Sequence, residues 1–311
     1  MFQAGIGAEV FGYDICFWQG LQKRLVRWIL YIVSLYSCRD HITRQRSKLM
    51  QMRPSRVLKK LRAGQLATCV KINLADPRAT EIAAMCGFDC LWLDMEHIPS
   101  NWSVIENQIR SAKAYDVDTV VRVARGSYSD YIRPLEADAT GIIVPHVMNL
   151  EEAKEVVWRT KFHPLGRRAI DGGGADGAYC MIDIEEYAKT ANEQRFVIIQ
   201  IEDPEALDDL EEMAKLPGLD MLFFGPNDFS HGLGCLGQWD NPLIDQTRRR
   251  IAEVAKANGK YAITPGGPGN IDELIDMGYQ FISMGADVVA LGAYFQQMVA
   301  EFEQAKKRKN L

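Results

Sequence analysis

Eight short apolar runs rich in β-formers, each followed by a helical pattern, constrain this chain more than any other feature. They are "LATCVKI" (66–72), "CLWL" (90–93), "TVVRV" (119–123), "GIIV" (141–144), "FVIIQI" (196–201), "MLFF" (221–224), "YAI" (261–263) and "FISM" (281–284). Strands joined by crossover helices pair in parallel, because a parallel return needs a dozen or more residues. Eight such repeats in about 260 residues predict a (β/α)8 barrel, an α/β fold whose chemistry sits on loops after the strands. A doubly wound sheet is the alternative. Ser103 with Glu106, and Asn270 with Glu273, have the spacing of capping boxes, and Asp203 with Pro204 suits a helix start. "GLGCLG" (232–237) matches a dinucleotide fingerprint but follows no strand and leads into no helix.

Composition narrows the class. The chain is 47% hydrophobic and 25% charged, as expected of a globular protein with a large core. Seven scattered cysteines form no CxxC pair, which argues for a reducing cytoplasm and against a disulfide scaffold or structural zinc; Cys86 and Cys90 read as small core residues. Residues 1–52 carry seven basic and three acidic side chains, leaving 29 basic and 38 acidic ones, so the net −5 divides into +4 and −9. An acidic body does not suit nucleic acid. Residues 1–52 therefore read as a separate extension ahead of a domain at 53–311. Its uncharged "WILYIVSLYSC" is too short to span a bilayer, which leaves an interfacial helix with membrane contact through residues 1–50, or an extension upstream of a start near Met50 or Met52.

In a barrel, polar residues that end the apolar runs converge on one mouth. Asp94, Glu96 and His97 follow the second run, Arg122 lies in the third, and Pro145 and His146 follow the fourth. Gln200 and Glu202 end the fifth, Asp228 follows the sixth and Thr264 the seventh. A charge within "TVVRV" needs a partner or a ligand. Glu202 has no structural task once Asp203 and Pro204 account for the helix start. Glu202 and Asp228 together offer hard oxygen ligands for Mg²⁺ or Mn²⁺ with positions left for water and substrate. An α-keto acid would chelate such a metal, Arg122 would stabilise its oxygen as an enolate forms, and His97 would move the proton. No lysine sits at a comparable strand end, which weighs against a Schiff-base aldolase. The glycine-rich run 171–177 reads as a loop over the mouth, with Arg167 and Arg168 placed to meet an anion.

The segments "GFDCLWLDMEH", "VVRV", "GIIVPHV", "HPLGRR", "VIIQIEDPEAL" and "LFFGPNDFSHGLG", in this order, resemble the HpcH/HpaI family over roughly residues 53–305. These are metal-dependent class II aldolases that use pyruvate and are built on a (β/α)8 barrel. The resemblance implies Glu202 and Asp228 as ligands of Mg²⁺, Mn²⁺ or Co²⁺, with Gln200 in support. It implies Arg122 as binder of the pyruvyl oxygen and carboxylate, His97 as acid/base, the backbone of Gly225, Pro226 and Asn227 as lining of the pyruvate pocket, and Asp94 at the mouth. The family pairs its histidine with an aspartate fourteen residues after the arginine; here that place holds Glu136. His146 stands where an apolar residue is more usual. A homo-oligomer, a hexamer with exchanged C-terminal helices, is also implied.

The expected activity is reversible retro-aldol cleavage of a 4-hydroxy-2-oxo acid, of the 2-keto-3-deoxy sugar acid or 4-hydroxy-2-oxoheptanedioate type, to pyruvate and an aldehyde. The alternatives are another metal-dependent oxo-acid lyase or decarboxylase on the same scaffold, and a ligand-binding barrel without catalysis.

Overall fold

The computed structural model describes residues 50–311 together with Trp28, and Met52–Leu311 forms one compact unit. The expectations about the extension, an interfacial helix or an upstream start, lie almost wholly outside the described residues. Among the described residues no helix is long and apolar enough to cross a membrane.

Eight parallel strands close into a barrel in chain order, so the doubly wound alternative is overturned. The strands are β1 (Ala67–Ile72), β2 (Cys90–Asp94), β3 (Asp118–Arg122), β4 (Gly141–Val144), β5 (Phe196–Ile201), β6 (Met221–Phe224), β7 (Tyr261–Gly266) and β8 (Phe281–Ala286). Ahead of β1 lies α1 (Arg56–Arg62); α2 (Pro77–Met85), α3 (Trp102–Lys113) and α4 (Tyr128–Glu136) follow the first three strands. Then come α5 (Leu150–Thr160), α6 (Ile184–Gln194), a 3₁₀ turn at Pro204–Asp208, α7 (Leu210–Ala214), α8 (Pro226–Gly232), α9 (Pro242–Ala257), α10 (Ile271–Met277) and α11 (Asp287–Lys309).

Side chains alternate along a strand, so one parity faces the barrel axis and the other the helices. Leu91, Leu93, Val121, Ile199 and Ile201 pack outward against Ile105, Ile109 and Ile251 of the helices. Cys69, Cys90, Trp92, Val120, Ile143, Ile198, Phe223 and Phe281 fill the interior, with Val57, Leu58 and Leu61 of α1 plugging its lower end. The same parity carried one step further toward the strand ends places Lys71, Asp94, Arg122 and Gln200 inward, directly above the apolar layers. Trp92 and Phe223 meet edge to face at 5.3 Å and form the floor beneath those polar groups.

Capping follows other residues than the spacings suggested. Asn101, not Ser103, caps α3 through Val104 N–H at 3.0 Å, while Glu106 pairs with Arg110. Asn270 accepts from Gly267 N–H at 2.9 Å and does not cap α10. Cys90 is core but Cys86 is exposed.

The lower rim is held by buried carboxylates. Asp118 accepts from Arg53 (2.8 Å), the Ser55 hydroxyl (2.7 Å) and Val57 N–H (2.9 Å), tying the entry to α1 onto β3. Truncating it takes from Arg53 its buried counter-charge, leaving the exposed Asp116 (3.2 Å) and the Thr140 hydroxyl (2.8 Å), and leaves the Ser55 hydroxyl and Val57 N–H without their acceptor. Asp118→Ala is expected to lower the unfolding free energy by about 3 kcal/mol, read as a shift in denaturant midpoint; an unchanged midpoint would contradict this role.

Among the described residues, helix α11 buries none of its side chains. Val289, Tyr294, Phe295, Val299 and Phe302 are each more than half exposed, with Phe302 at 67%.

Candidate active site

The strand ends surround a cavity of about 390 Å³ lined by Lys71, Trp92, His97, Arg122, Gln200, Gly225, Pro226, Asn227, Asp228 and Ser283, among others. The closed sheet thus brings together nine of the ten expected site residues at or beside one cavity: seven on that lining, together with Asp94 and Glu202 in contact with lining residues.

Arg122 sits in register with Asp94 on the neighbouring strand. Its Nε donates to Asp94 Oδ1 at 3.0 Å and Nη2 to Oδ2 at 2.6 Å, while Nη1 lies 3.0 Å from Glu96 Oε2. Arg122 is 4% exposed and Asp94 2%, so this is a buried fork-to-fork pair. Burial alone would raise the Asp94 carboxyl, but Arg122 and Lys71 outweigh it and hold it down at about 2. Asp94 is thus an ionised anchor for the arginine.

Glu96, to which no role was assigned from sequence, joins three groups. It touches Arg122, its Oε2 lies 3.7 Å from His97 Nε2, and its Oε1 lies 3.7 Å from His146 Nε2. The signal was its place two residues after Asp94, on the same side of the chain.

Glu202 is 1% exposed. Its Oε1 accepts from His146 N–H at 2.9 Å and its Oε2 from the Gln200 amide. Burial is the main reason its carboxyl rises from an ordinary 4.5 to about 7; the His146 amide opposes the rise, and the nearby charges of Asp228 and Glu96 add to it. Gln200 Oε1 is buried without a partner among the described residues. A Cβ at Gly225 would sit 2.6 Å from Glu202 Oε2, so glycine leaves the space beside that oxygen open. A buried acid beside a second acid, an orphaned amide oxygen and this cradle fit a divalent cation held by Glu202 and Asp228. Among the described residues no three His, Cys, Asp or Glu side chains cluster as a closed site, so water and substrate would complete the coordination.

Asp203 does not cap the turn it precedes. It reaches His146, whose Nδ1 lies 3.0 Å from Asp203 Oδ2. Burial alone would lower the imidazole, but that hydrogen bond and the charges of Glu202, Asp203 and Glu96 raise it. His146 has φ of 50°, a left-handed conformation that a non-glycine residue holds only under constraint from its surroundings. Thr264 points away from the cavity and donates to Phe224 O at 3.2 Å.

Four expectations change. Lys71 lines the cavity one residue before the end of β1, with Nζ 2.8 Å from Asp94 Oδ2, so a lysine does stand at the mouth. It is ion-paired, and an ammonium is no nucleophile. Arg168 does not face an anion at the mouth; it is 4% exposed and donates to Asp176 (2.9 Å) and the Tyr187 oxygen (3.2 Å), while Arg167 stacks on Trp158. No residue of 171–177 lines the cavity, and Gly174 packs on the end of α4, where a Cβ would meet Glu136 O at 2.6 Å. Glu136, half-buried, faces the charges of Arg168, Asp176 and Asp171, and its carboxyl is raised chiefly by burial. Within the described chain no ion pair joins it to His97, which is 57% exposed.

The titration of Glu202 has a readable consequence. Between pH 4.5 and about 7 the folded protein binds a proton that the unfolded chain has released, so stability falls as pH rises through that window. Chelator-treated protein is expected to lose up to ~3 kcal/mol across it, and Glu202→Gln to flatten the slope. An identical slope in the variant would contradict this, as would a slope insensitive to added Mn²⁺.

Comparison with known proteins places this geometry. Residues 69–292 match the family model described as HpcH/HpaI aldolase/citrate lyase. The chain is 29% identical over 251 residues to 2-keto-3-deoxy-L-rhamnonate aldolase of Escherichia coli strain K12, covering 79% of this chain and 92% of that one. It is 31% identical over 227 residues to the Klebsiella pneumoniae protein of the same name, covering 72% and 84%. The crystal structure of an HpcH/HpaI aldolase from Desulfitobacterium hafniense DCB-2 superposes with a TM-score of 0.75 at 26% identity, covering 79% of this chain and 96% of that one.

Proposed function

The chain belongs to the HpcH/HpaI aldolase/citrate lyase family, and we propose that it cleaves 4-hydroxy-2-oxo acids of the 2-keto-3-deoxy sugar acid type to pyruvate and an aldehyde. Membership of an aldolase and lyase family displaces the non-catalytic barrel. The observation that carries the reading is the convergence of Glu202 and Asp228 with Arg122 on one cavity, with Gln200 beside the acids.

Glu202 and Asp228 would hold Mg²⁺, Mn²⁺ or Co²⁺, which when bound supplies Lewis acidity toward the 2-oxo group. Arg122, fixed by Asp94 and Glu96, keeps one N–H on each Nη free to meet the 2-oxo oxygen and the carboxylate. These donors stabilise the negative charge that develops as C3–C4 breaks. The backbone of Gly225, Pro226 and Asn227 lines the place of the three-carbon fragment. His97, on the open side, takes the C4 hydroxyl proton as the aldehyde forms. Glu136, without an ion pair to this histidine among the described residues, is given no role in the step. The exposed apolar face of α11 supports a homo-oligomer, hexameric by family resemblance, and the acidic body and free cysteines among the described residues support a cytoplasmic location.

The test is pyruvate release from a panel of 2-keto-3-deoxy sugar acids and 4-hydroxy-2-oxoheptanedioate, with Mn²⁺ or Mg²⁺ and again with chelator. Turnover should vanish with chelator, and Glu202→Ala, Asp228→Ala and Arg122→Ala should each lower kcat/KM by at least about 100-fold. Release that ignores the chelator would refute the reading, and so would borohydride trapping of pyruvate on Lys71. Separately, Phe295→Glu with Phe302→Glu is expected to lower the mass in sedimentation; an unchanged mass would remove α11 from the interface.

A further inference from the structure

Lys71 and Trp92 are neighbours across β1 and β2, in register, and both line the cavity. The mechanism above uses neither. Asp94, the partner of Lys71, is already met by both arms of Arg122 and by Glu96 N–H at 3.0 Å, so the second cation is surplus to its needs. An ammonium has three donors, and Asp94 takes one. The side chain is 20% exposed, and its Nζ lies 5.1 Å from the Trp92 ring centre. Trp92 is 5% exposed, and its Nε1–H is buried with no acceptor among the described residues. Indole can only donate, and native proteins rarely leave such a group unpaired. Ser283 of β8 borders the same corner. A cation with donors in reserve, beside an orphaned N–H, is a place prepared for an anionic acceptor.

We propose that Lys71 and Trp92 form a second anion subsite, which takes a carboxylate carried on the substrate chain beyond the 2-oxo acid. The inference rests on the oxo-acid reading and adds to it a second group of ligands: beside the sugar acids, the same site takes short 2-oxo dicarboxylates, which it holds more tightly than pyruvate. Lys71 Nζ and Arg122 Nη2 reach the same oxygen of Asp94, so the two cations stand within one carboxylate's reach of each other. A second carboxylate held by Lys71 therefore lies one or two carbons from the carbonyl that Arg122 holds. That span fits chains of four or five carbons, and the cavity has room beyond a three-carbon acid.

The experiment is calorimetric binding of pyruvate, oxaloacetate and 2-oxoglutarate to the Mn²⁺-loaded protein, in unaltered, Lys71→Met, Lys71→Arg and Trp92→Phe forms. The unaltered protein should bind at least one of the dicarboxylates about tenfold or more tightly than pyruvate. Lys71→Met should abolish that preference with little change for pyruvate, Lys71→Arg should keep much of it, and Trp92→Phe should reduce it severalfold. If Lys71→Met fails to fold, Trp92→Phe and Lys71→Arg still carry the comparison. Equal losses for pyruvate and the dicarboxylates would show that Lys71 only steadies Asp94 and would overturn the subsite, as would equal affinities in the unaltered protein. Failure of the unaltered protein to bind any of the three would instead refute the oxo-acid reading, and the subsite with it.

Discussion

The site depends on the ion pair between Arg122 and Asp94. The two residues face each other across β3 and β2, both inward and both buried, where an unpartnered charge would be expensive. Two parallel hydrogen bonds set the plane of the guanidinium, and the Glu96 carboxylate lies 3.0 Å from its remaining nitrogen. With the plane set, the unused N–H bonds have one direction left, into the cavity. Trp92 closes the arrangement from below, its ring 4.9 Å from the Arg122 guanidinium carbon. Arg122 is therefore oriented before any ligand arrives, as transition-state stabilisation requires.

Charge balance around that pair explains the rest of the mouth. Asp94, Glu96, Glu202, Asp203 and Asp228 gather there against Arg122, Lys71 and His146. The acid excess is concentrated on the β5 and β6 side, where Glu202 is pushed up to about 7, while Lys71 and Arg122 lie on the β1 to β3 side. A dipolar cavity of this kind suits a ligand that presents oxygens to both sides, with a cation between it and the acids. His146 belongs to the acid side: its strained backbone places its N–H on Glu202, and its ring links Asp203 with Glu96.

The eight strands were legible because each buried run is short, apolar and followed by a helix start. Arg122 was legible because a charge inside "TVVRV" has no bland explanation. Lys71 was not, since "LATCVKI" continues to an apolar residue and only closure of the barrel shows that β1 borders Asp94 and Trp92. Caps were misplaced where a side chain found a better partner, as Asp203 did in His146. Arg168 read as a cation placed to meet an anion at the mouth, yet Asp176, Tyr187 and the Phe162 ring enclose it; partners eight and nineteen positions away, the second on α6, cannot be paired by local pattern.

The most direct measurement of the central claim is exchange of the pyruvate methyl protons with D₂O, followed by NMR in the presence of Mn²⁺-loaded and then chelated protein. If the preoriented Arg122 and the acid pair generate an enolate from a bound oxo acid, exchange proceeds with metal, stops with chelator and is lost in Arg122→Ala. Exchange that persists in Arg122→Ala, or its absence from the metal-loaded protein, would contradict the account.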